Sequence, residues 1–299
     1  MKAGQHFKIL LCFLLSITLL GCSTSTTKIQ NAESKSYTYD EILWPSADGT
    51  SVMEDDKVLV DYSNANKGYI MAKTKTSEHN RLKVMIVKDD EKYTYDINKD
   101  DDYEIYSFNM GDGSYTVKIY ENLHDDQYSL LFSFDCDVQL ENEFVPFLYP
   151  NQVVDYSTTT LCIEKSFELV KDDKTDLDRV EHIYDWVLDN VTYDWDKVEE
   201  VQGKYVLPVL DDIYNNKKGI CFDYAAIMAA MLRVQHIPTK VVTGMIEEGY
   251  HAWIEVYIEN MGWIKPHVYF NSGEWTTMDP TYDAMNEKYD GDYSIKYVY

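Results

Sequence analysis

The sequence predicts an α+β fold, with an all-β half first and helices followed by strands after it. Three observations predict this. Residues 40–150 alternate apolar and polar side chains between turn residues. Beyond Pro150 the apolar period lengthens to that of a helix, and strand-like runs return after Pro238. A length of 299 residues suits about two domains, each able to bury a core.

The β half, residues 40–155, rests on seven short runs. They are Val58-Leu59-Val60, Tyr69-Ile70-Met71, Leu82-x-Val84-x-Ile86, Tyr93-x-Tyr95-x-Ile97, Ile105-Tyr106, Tyr115-x-Val117-x-Ile119 and 132–140. No helical period interrupts them, which indicates a sandwich-like arrangement. Gly111-Asp112-Gly113 ahead of Tyr115 has the chemistry of a tight hairpin turn. Lys99-Asp100-Asp101-Asp102 lacks the spaced ligands and the glycine of a calcium loop, and reads as a solvated turn. This half reads as a binding or spacer module. Phe144-Val145-Pro146-Phe147-Leu148-Tyr149-Pro150 punctuates its end.

In the second half, residues 156–299, Thr175-x-x-Asp178 has the form of a capping box. Leu177, Val180, Tyr184 and Val187 then repeat at helical spacing as far as Asn190. A second helix starts at or just after Cys221, with Ala225, Met228, Met231 and Leu232 as its stripe, and Ile237-Pro238 stops it. Strand-like runs follow at 240–243, 251–258, 269–270 and 275–278.

The first residues read differently. Lys2 and Lys8 precede an apolar run over 9–20 that ends in Leu19-Leu20-Gly21-Cys22. The run is too short to span a bilayer, which takes ~20 residues, and reads as a secretory signal over 1–21. Its ending resembles a bacterial lipoprotein lipobox. That resemblance implies cleavage before Cys22, diacylglycerol on its sulfur, and an extracytoplasmic, membrane-anchored protein. Residues 23–39 are polar and without period, a flexible tether that would reach ~23 Å from the Cys22 anchor.

Charge narrows the partners. Lysine and arginine number 27 against 52 acidic residues, a net charge of −25, and loss of Lys2 and Lys8 with the signal would take it to −27. Nucleic acids are excluded as partners, because their binding needs basic groups to displace phosphate counterions. An anionic membrane surface would repel the body of the chain and hold it only through the Cys22 lipid. Acidity spread over a surface makes no calcium cage, and no metal or cofactor is expected.

Once Cys12 leaves and Cys22 is lipidated, Cys136, Cys162 and Cys221 remain, so at least one thiol stays unpaired. Cys136 falls on the apolar face of a strand, and Cys162 lies between Leu161 and Ile163. Both read as core thiols, and a bridge between them stays open.

Gly219-Ile220-Cys221-Phe222-Asp223-Tyr224-Ala225 sets a cysteine where a loop becomes a helix. The partial positive charge of a helix start favours thiolate over thiol, and Gly219 permits a tight approach of backbone to the sulfur. A nucleophilic thiolate needs a base and a group that holds that base in one tautomer. His251-Ala252-Trp253 opens a strand thirty residues on, and Asp279-Pro280-Thr281 closes another twenty-eight residues later. Antiparallel neighbours would set His251 between Cys221 and Asp279.

In this order G-x-C-x-D-Y-A, H-A-W-x-E-V-Y and W-x-x-x-D-P-T resemble the transglutaminase-like superfamily, papain-related in its catalytic arrangement. The likeness covers about residues 160–299 and includes the exit Asn190-Val191-Thr192-Tyr193-Asp194. It implies Cys221 as nucleophile, His251 as general base and acid, and Asp279 as the orienting carboxylate. The chain departs from the family at His236, where glycine is usual, and in the stretch between Trp263 and Trp275, which reads as an extra hairpin. The implied activity is cleavage of peptide or amide bonds through a Cys221 thioester, by a surface cysteine peptidase or amidase whose substrates would be cell-wall peptides or host proteins. The alternatives are a cross-linking protein-glutamine acyl transferase and a non-catalytic surface binding protein. Tyr193 is the candidate second oxyanion donor after the Cys221 N–H, with Trp186 as the other choice. His267 reads as loop, His182 as solvated, and Asp223 as a first-turn carboxylate favoured by the helix dipole. Cys221 and His251 with Cys136 or Cys162 lack the paired spacing of a zinc site.

Overall fold

Alternation in the first half becomes two antiparallel sheets in the computed structural model. It describes residues 33–299 except 78–79, 99–100, 265–268, 272–273, 277–278, 286–288 and 290. One sheet has the order β1-β2-β3-β6, from Val52–Glu54, Val58–Asp61, Tyr69–Thr74 and Glu104–Ser107. The other has the order β5-β4-β7-β8, where β4 is Leu82–Lys88, β5 is Glu91–Ile97, β7 is Gly113–His124 and β8 is Gln127–Val138. Register explains the core. Val84 faces Ile119 and Tyr95, while Ile86 faces Val117 and Tyr93, so Leu82, Val84 and Ile86 line one buried apolar face of β4 up to its half-buried end at Lys88. Val58, Val60, Ile70 and Ala72 of the first sheet close on the same core.

The seven expected runs are all strands, and Val52–Glu54 adds an eighth. Gly111-Asp112-Gly113 is not a hairpin. It carries the chain from β6 in one sheet to β7 in the other, and the Tyr115 hydroxyl pins it by donating to the Gly111 carbonyl at 2.6 Å. Local turn chemistry reports a bend and not the sheet to which the chain returns. The tight turns join β4 to β5 and β7 to β8, where Asp89 and Asp125 take positive φ of 51° and 47°.

The expected boundary segment is packed against the second half. Phe144 lies 4.1 Å from the Tyr257 ring, and Phe147 meets Trp263 edge-on at 5.6 Å. Among the described residues six helices follow: α1 Leu161–Val170, α2 Asp176–Asn190, α3 Trp195–Glu200, α4 Leu210–Asn216, α5 Cys221–Arg233 and α6 Pro280–Ala284. Thr175 caps α2 by accepting from the Asp178 N–H at 3.1 Å, as its spacing predicts. Every residue from Asp223 to Arg233 is buried, so α5 is a central helix and not a one-sided one. It packs on α1, α2 and α4 and on the strands β11 (Thr239–Ile246) and β12 (Gly249–Ile258). Helix α5 ends at Arg233, before the expected stop at Pro238. His236 then takes a left-handed φ of 59°, a conformation that glycine adopts more readily.

The main sheet of this half runs β13-β12-β11-β16, with β13 at Gly262–Ile264 and β16 at Ser294–Val298. Two short strands before α5, β9 (Thr192–Tyr193) and β10 (Lys218–Gly219), pair in parallel. The stretch expected to be an extra hairpin contains β14 (Tyr269–Asn271) and β15 (Glu274–Thr276), paired antiparallel with Phe270 opposite Trp275. Both halves contribute to one buried cluster, and the described residues form a single compact unit. The Arg233 guanidinium, 1% exposed, fastens it by donating to the carbonyls of Tyr149, Thr239 and Tyr299 at 2.8–3.0 Å.

The tether expected through Tyr39 needs correction at its end. Ser34 and Ser36 hydroxyls accept from the buried Arg179 guanidinium at 2.7 and 3.0 Å, and Tyr37 stacks on His236 at 3.7 Å. Their polar composition suggested a coil because the receiving arginine lies 143–145 residues away. Cys22 and the signal lie outside the described residues. Among the described residues no helix is long and apolar enough to cross a membrane.

Candidate active site

Three elements deliver the residues that the motifs single out. Ile220 is the extended N-cap of α5, which makes Cys221 the first helical residue, half-buried, with its N–H among the first-turn amides that have no partner within the helix. Asp223 fixes this start. Its Oδ2 accepts from the Ile220 N–H at 2.9 Å and from Lys197 Nζ of α3 at 2.7 Å, so it is a buried ion-pair partner beyond a first-turn charge. Gly219 serves this contact. A Cβ there would stand 2.7 Å from the Asp223 Cβ, so the close approach is to Asp223 and not to the sulfur.

His251 stands on β12 opposite Gly244 of β11 and is 5% exposed. Its Nε2 bonds Asp279 Oδ2 at 2.7 Å, and it also shares a side-chain hydrogen bond with Cys221, which leaves Nδ1 as the nitrogen for the thiol. Burial disfavours charge on the ring. The bonds to Asp279 and then Cys221 outweigh that cost and lift the imidazole to about 10. The structure therefore brings Cys221, His251 and Asp279 together.

Asp279 reaches His251 by a route the spacing did not anticipate. It belongs to no neighbour of β12; it is the N-cap of α6, where its Oδ1 accepts from the Thr281 N–H at 3.1 Å. Asp-Pro-Thr is a helix-start signature, with an acidic cap and proline at the first helical position, and could have been read as one. The carboxylate is fully buried. Tyr293, which the sequence reading passed over, donates its hydroxyl to the same Oδ2 at 2.9 Å.

Cys221 and His251 open into a cleft of about 430 Å³ whose walls include Tyr193, Tyr205, Phe222 and Tyr250. Tyr193 is brought here by β9, which pairs it with Gly219, two residues before the cysteine. Burial and then the nearby Cys221 and Asp279 push its hydroxyl well above the ordinary tyrosine range, so it stays protonated and able to donate. Trp186 does not line the cleft; it stacks on Tyr214 at 5.7 Å beneath the Lys217 ammonium.

The other candidates fall elsewhere. Cys136 and Cys162 are free and buried, and burial pushes their thiols to about 11 and about 12. His182 pairs with Asp173 at 2.9 Å on a half-exposed surface of α2. His267 lies outside the described residues. Among the described residues no group of three His, Cys, Asp or Glu side chains could hold a metal ion.

Residues 164–267 match the family model of the transglutaminase-like superfamily. The chain carries a transglutaminase-like core. The match includes Cys221 and His251 and ends before Asp279, which the fold supplies from α6. Over 96 residues the chain is 31% identical to the UPF0252 protein MJ1282 of Methanocaldococcus jannaschii, covering 27% of this chain and 26% of that relative. The chain thus spans about a quarter of the length of this relative. Among solved structures, a candidate cysteine protease from Cytophaga hutchinsonii aligns over 77% of this chain and 91% of its own, with a TM-score of 0.36 and 15% identity. Red sea bream transglutaminase aligns over 71% of this chain and 48% of its own, with a TM-score of 0.25 and 15% identity.

Proposed function

We propose that this transglutaminase-like protein is a cysteine hydrolase, a surface peptidase or amidase that cuts peptide or amide bonds through a thioester on Cys221. The observation that carries the reading is His251, bonded on one side to the buried Asp279 and on the other to a cysteine that opens both a helix and a cleft. His251 already holds the proton it shares with Cys221 when the sulfur adds to the carbonyl carbon. The carbon–nitrogen bond then breaks as His251 returns that proton to the departing amine. Water next gives a proton to His251 and adds to the thioester. The carbon–sulfur bond breaks, the sulfur regains its proton, and a carboxylic acid leaves. The Cys221 N–H and the Tyr193 hydroxyl are the donors for the oxyanion formed in each addition. Lipid on Cys22 would hold the enzyme outside the cytoplasm, which makes cell-wall peptides the first substrates to try.

The test is a panel of peptides and primary amides incubated with wild type and Cys221→Ala, with and without an added primary amine. Release of free carboxylate that needs Cys221 and ignores the amine supports the hydrolase. Incorporation of the amine would make the chain an acyl transferase instead. Turnover of no substrate, with no acyl group trapped on Cys221, would favour a non-catalytic binding protein.

A further inference from the structure

Asp279 Oδ2 serves two donors at once, His251 Nε2 at 2.7 Å and the Tyr293 hydroxyl at 2.9 Å. We infer that Tyr293 is a positioning residue that acts through Asp279 to set how tightly His251 holds its proton. The inference rests on the thiol-enzyme reading above.

The geometry around Tyr293 is built. Its ring meets Trp253 nearly edge-on at 4.8 Å and Tyr289 at 5.2 Å, and Trp253 in turn lies 6.2 Å from the His251 ring. Gly244, opposite His251, lets β16 come close beside Tyr293: a Cβ at Gly244 would stand 2.0 Å from the Ser294 carbonyl oxygen. Burial and then the Asp279 charge keep the Tyr293 phenol protonated, so it remains a donor across the working range. The other titratable groups facing this cluster are Cys221 from α5, Tyr193 from β9, and Tyr282 of α6, which bonds Glu248. Tyr289 faces the Tyr293 ring.

The sign of the effect follows from the shared oxygen. The hydroxyl proton of Tyr293 spends part of the Oδ2 negative charge that would otherwise act on the imidazolium alone. Removing it concentrates that charge on His251 and raises the imidazole further. His251 then becomes a weaker acid toward the departing amine, so turnover falls while substrate binding is unchanged.

The test uses Tyr293→Phe, which keeps the ring against Trp253, with near-UV circular dichroism to check its packing. Cys221 is alkylated across pH with iodoacetate and with iodoacetamide. The rate ratio of the anionic to the neutral reagent reports the positive charge on His251, since the imidazolium attracts only the anion. The expected result is a midpoint about half a pH unit to one unit higher than wild type, and a several-fold lower kcat at unchanged KM. A midpoint that stays in place or moves down in a natively packed variant overturns the inference. If packing is lost, the downfield proton resonance of His251 Nε2 in wild type, recorded in mixed H2O and D2O, decides, because a proton bonded to an oxygen shared with Tyr293 must shift where the Tyr293 hydroxyl carries deuterium; no shift overturns the inference. His251→Ala separates the two failures. A ratio indifferent to pH in wild type and unaltered by His251→Ala sinks the thiol-enzyme reading itself, and Tyr293 with it.

Discussion

Replacing Asp279 by asparagine removes one charge and leaves the shape of the side chain. The carboxylate accepts from Thr281 at one oxygen and from His251 and Tyr293 at the other. An amide has a single oxygen, so one side must present its NH₂ to an existing donor. The expected choice keeps oxygen on the side with two donors and gives up the α6 cap. The magnitude comes from His251, lifted from 6.5 to about 10 against the cost of burial, with Asp279 the strongest upward influence. At ~1.4 kcal/mol per pH unit, its neighbours favour the imidazolium by roughly 5 kcal/mol. Loss of the carboxylate charge should remove at least half of that, about 2–3 kcal/mol. The iodoacetate to iodoacetamide ratio should then lose its pH midpoint near 10 and show one about 2 units lower, opposite in direction to Tyr293→Phe. Turnover should fall roughly 30- to 100-fold, because the imidazolium loses its stabilising charge and the ring the partner that orients it, and each 1.4 kcal/mol is about a factor of ten. A midpoint within half a unit of wild type would refute the argument that Asp279 sets the basicity of His251.

Stability should follow the same group. Because the folded imidazole is raised above its unfolded value of 6.5, its contribution is complete below pH 6.5 and vanishes as pH rises through about 10. Urea unfolding should therefore separate wild type from Asp279→Asn most clearly near pH 6, with the gap closing toward pH 10; a constant gap would contradict this. Gly219→Ala should cost about 1–3 kcal/mol and slow alkylation of Cys221, since its Cβ drives Asp223 from the Ile220 N–H. An unaltered urea midpoint would show that Asp223 can move aside freely. In the native protein, mass spectrometry after brief alkylation should find the label on Cys221, with Cys136 and Cys162 modified only after denaturation.

What was legible in the sequence was local. Thr175 caps α2 because its oxygen reaches an amide three residues on, and the start of α5 is written in Gly219-Ile220-Cys221. Short elements such as α3 and α4 offer too few turns to display a period. Strand β16 was missed because its place is set by pairing with β11, some fifty residues earlier. Tyr293 was hidden by abundance. Among 26 tyrosines nothing local distinguishes the one whose hydroxyl meets Asp279. The Gly111-Asp112-Gly113 turn shows the converse, a clear local signal with a partner that only the folded chain selects.

Arg233 carries a consequence for how this molecule can change. Burial lowers its guanidinium only to about 10, so it remains a cation at neutral pH, and its partners are three carbonyls far apart in sequence. One of them, Tyr149, lies in the segment whose prolines and aromatics mark the boundary between the halves in the sequence. Lengthening that segment by a residue would withdraw a carbonyl from a buried charge, a far heavier penalty than insertion into an exposed loop carries. The joint between the two halves is thus less free to drift than the turns at Asp89 and Asp125. Gain or exchange of the β half over evolutionary time would have required the arginine, the joint and the strand ending at Val298 to change together.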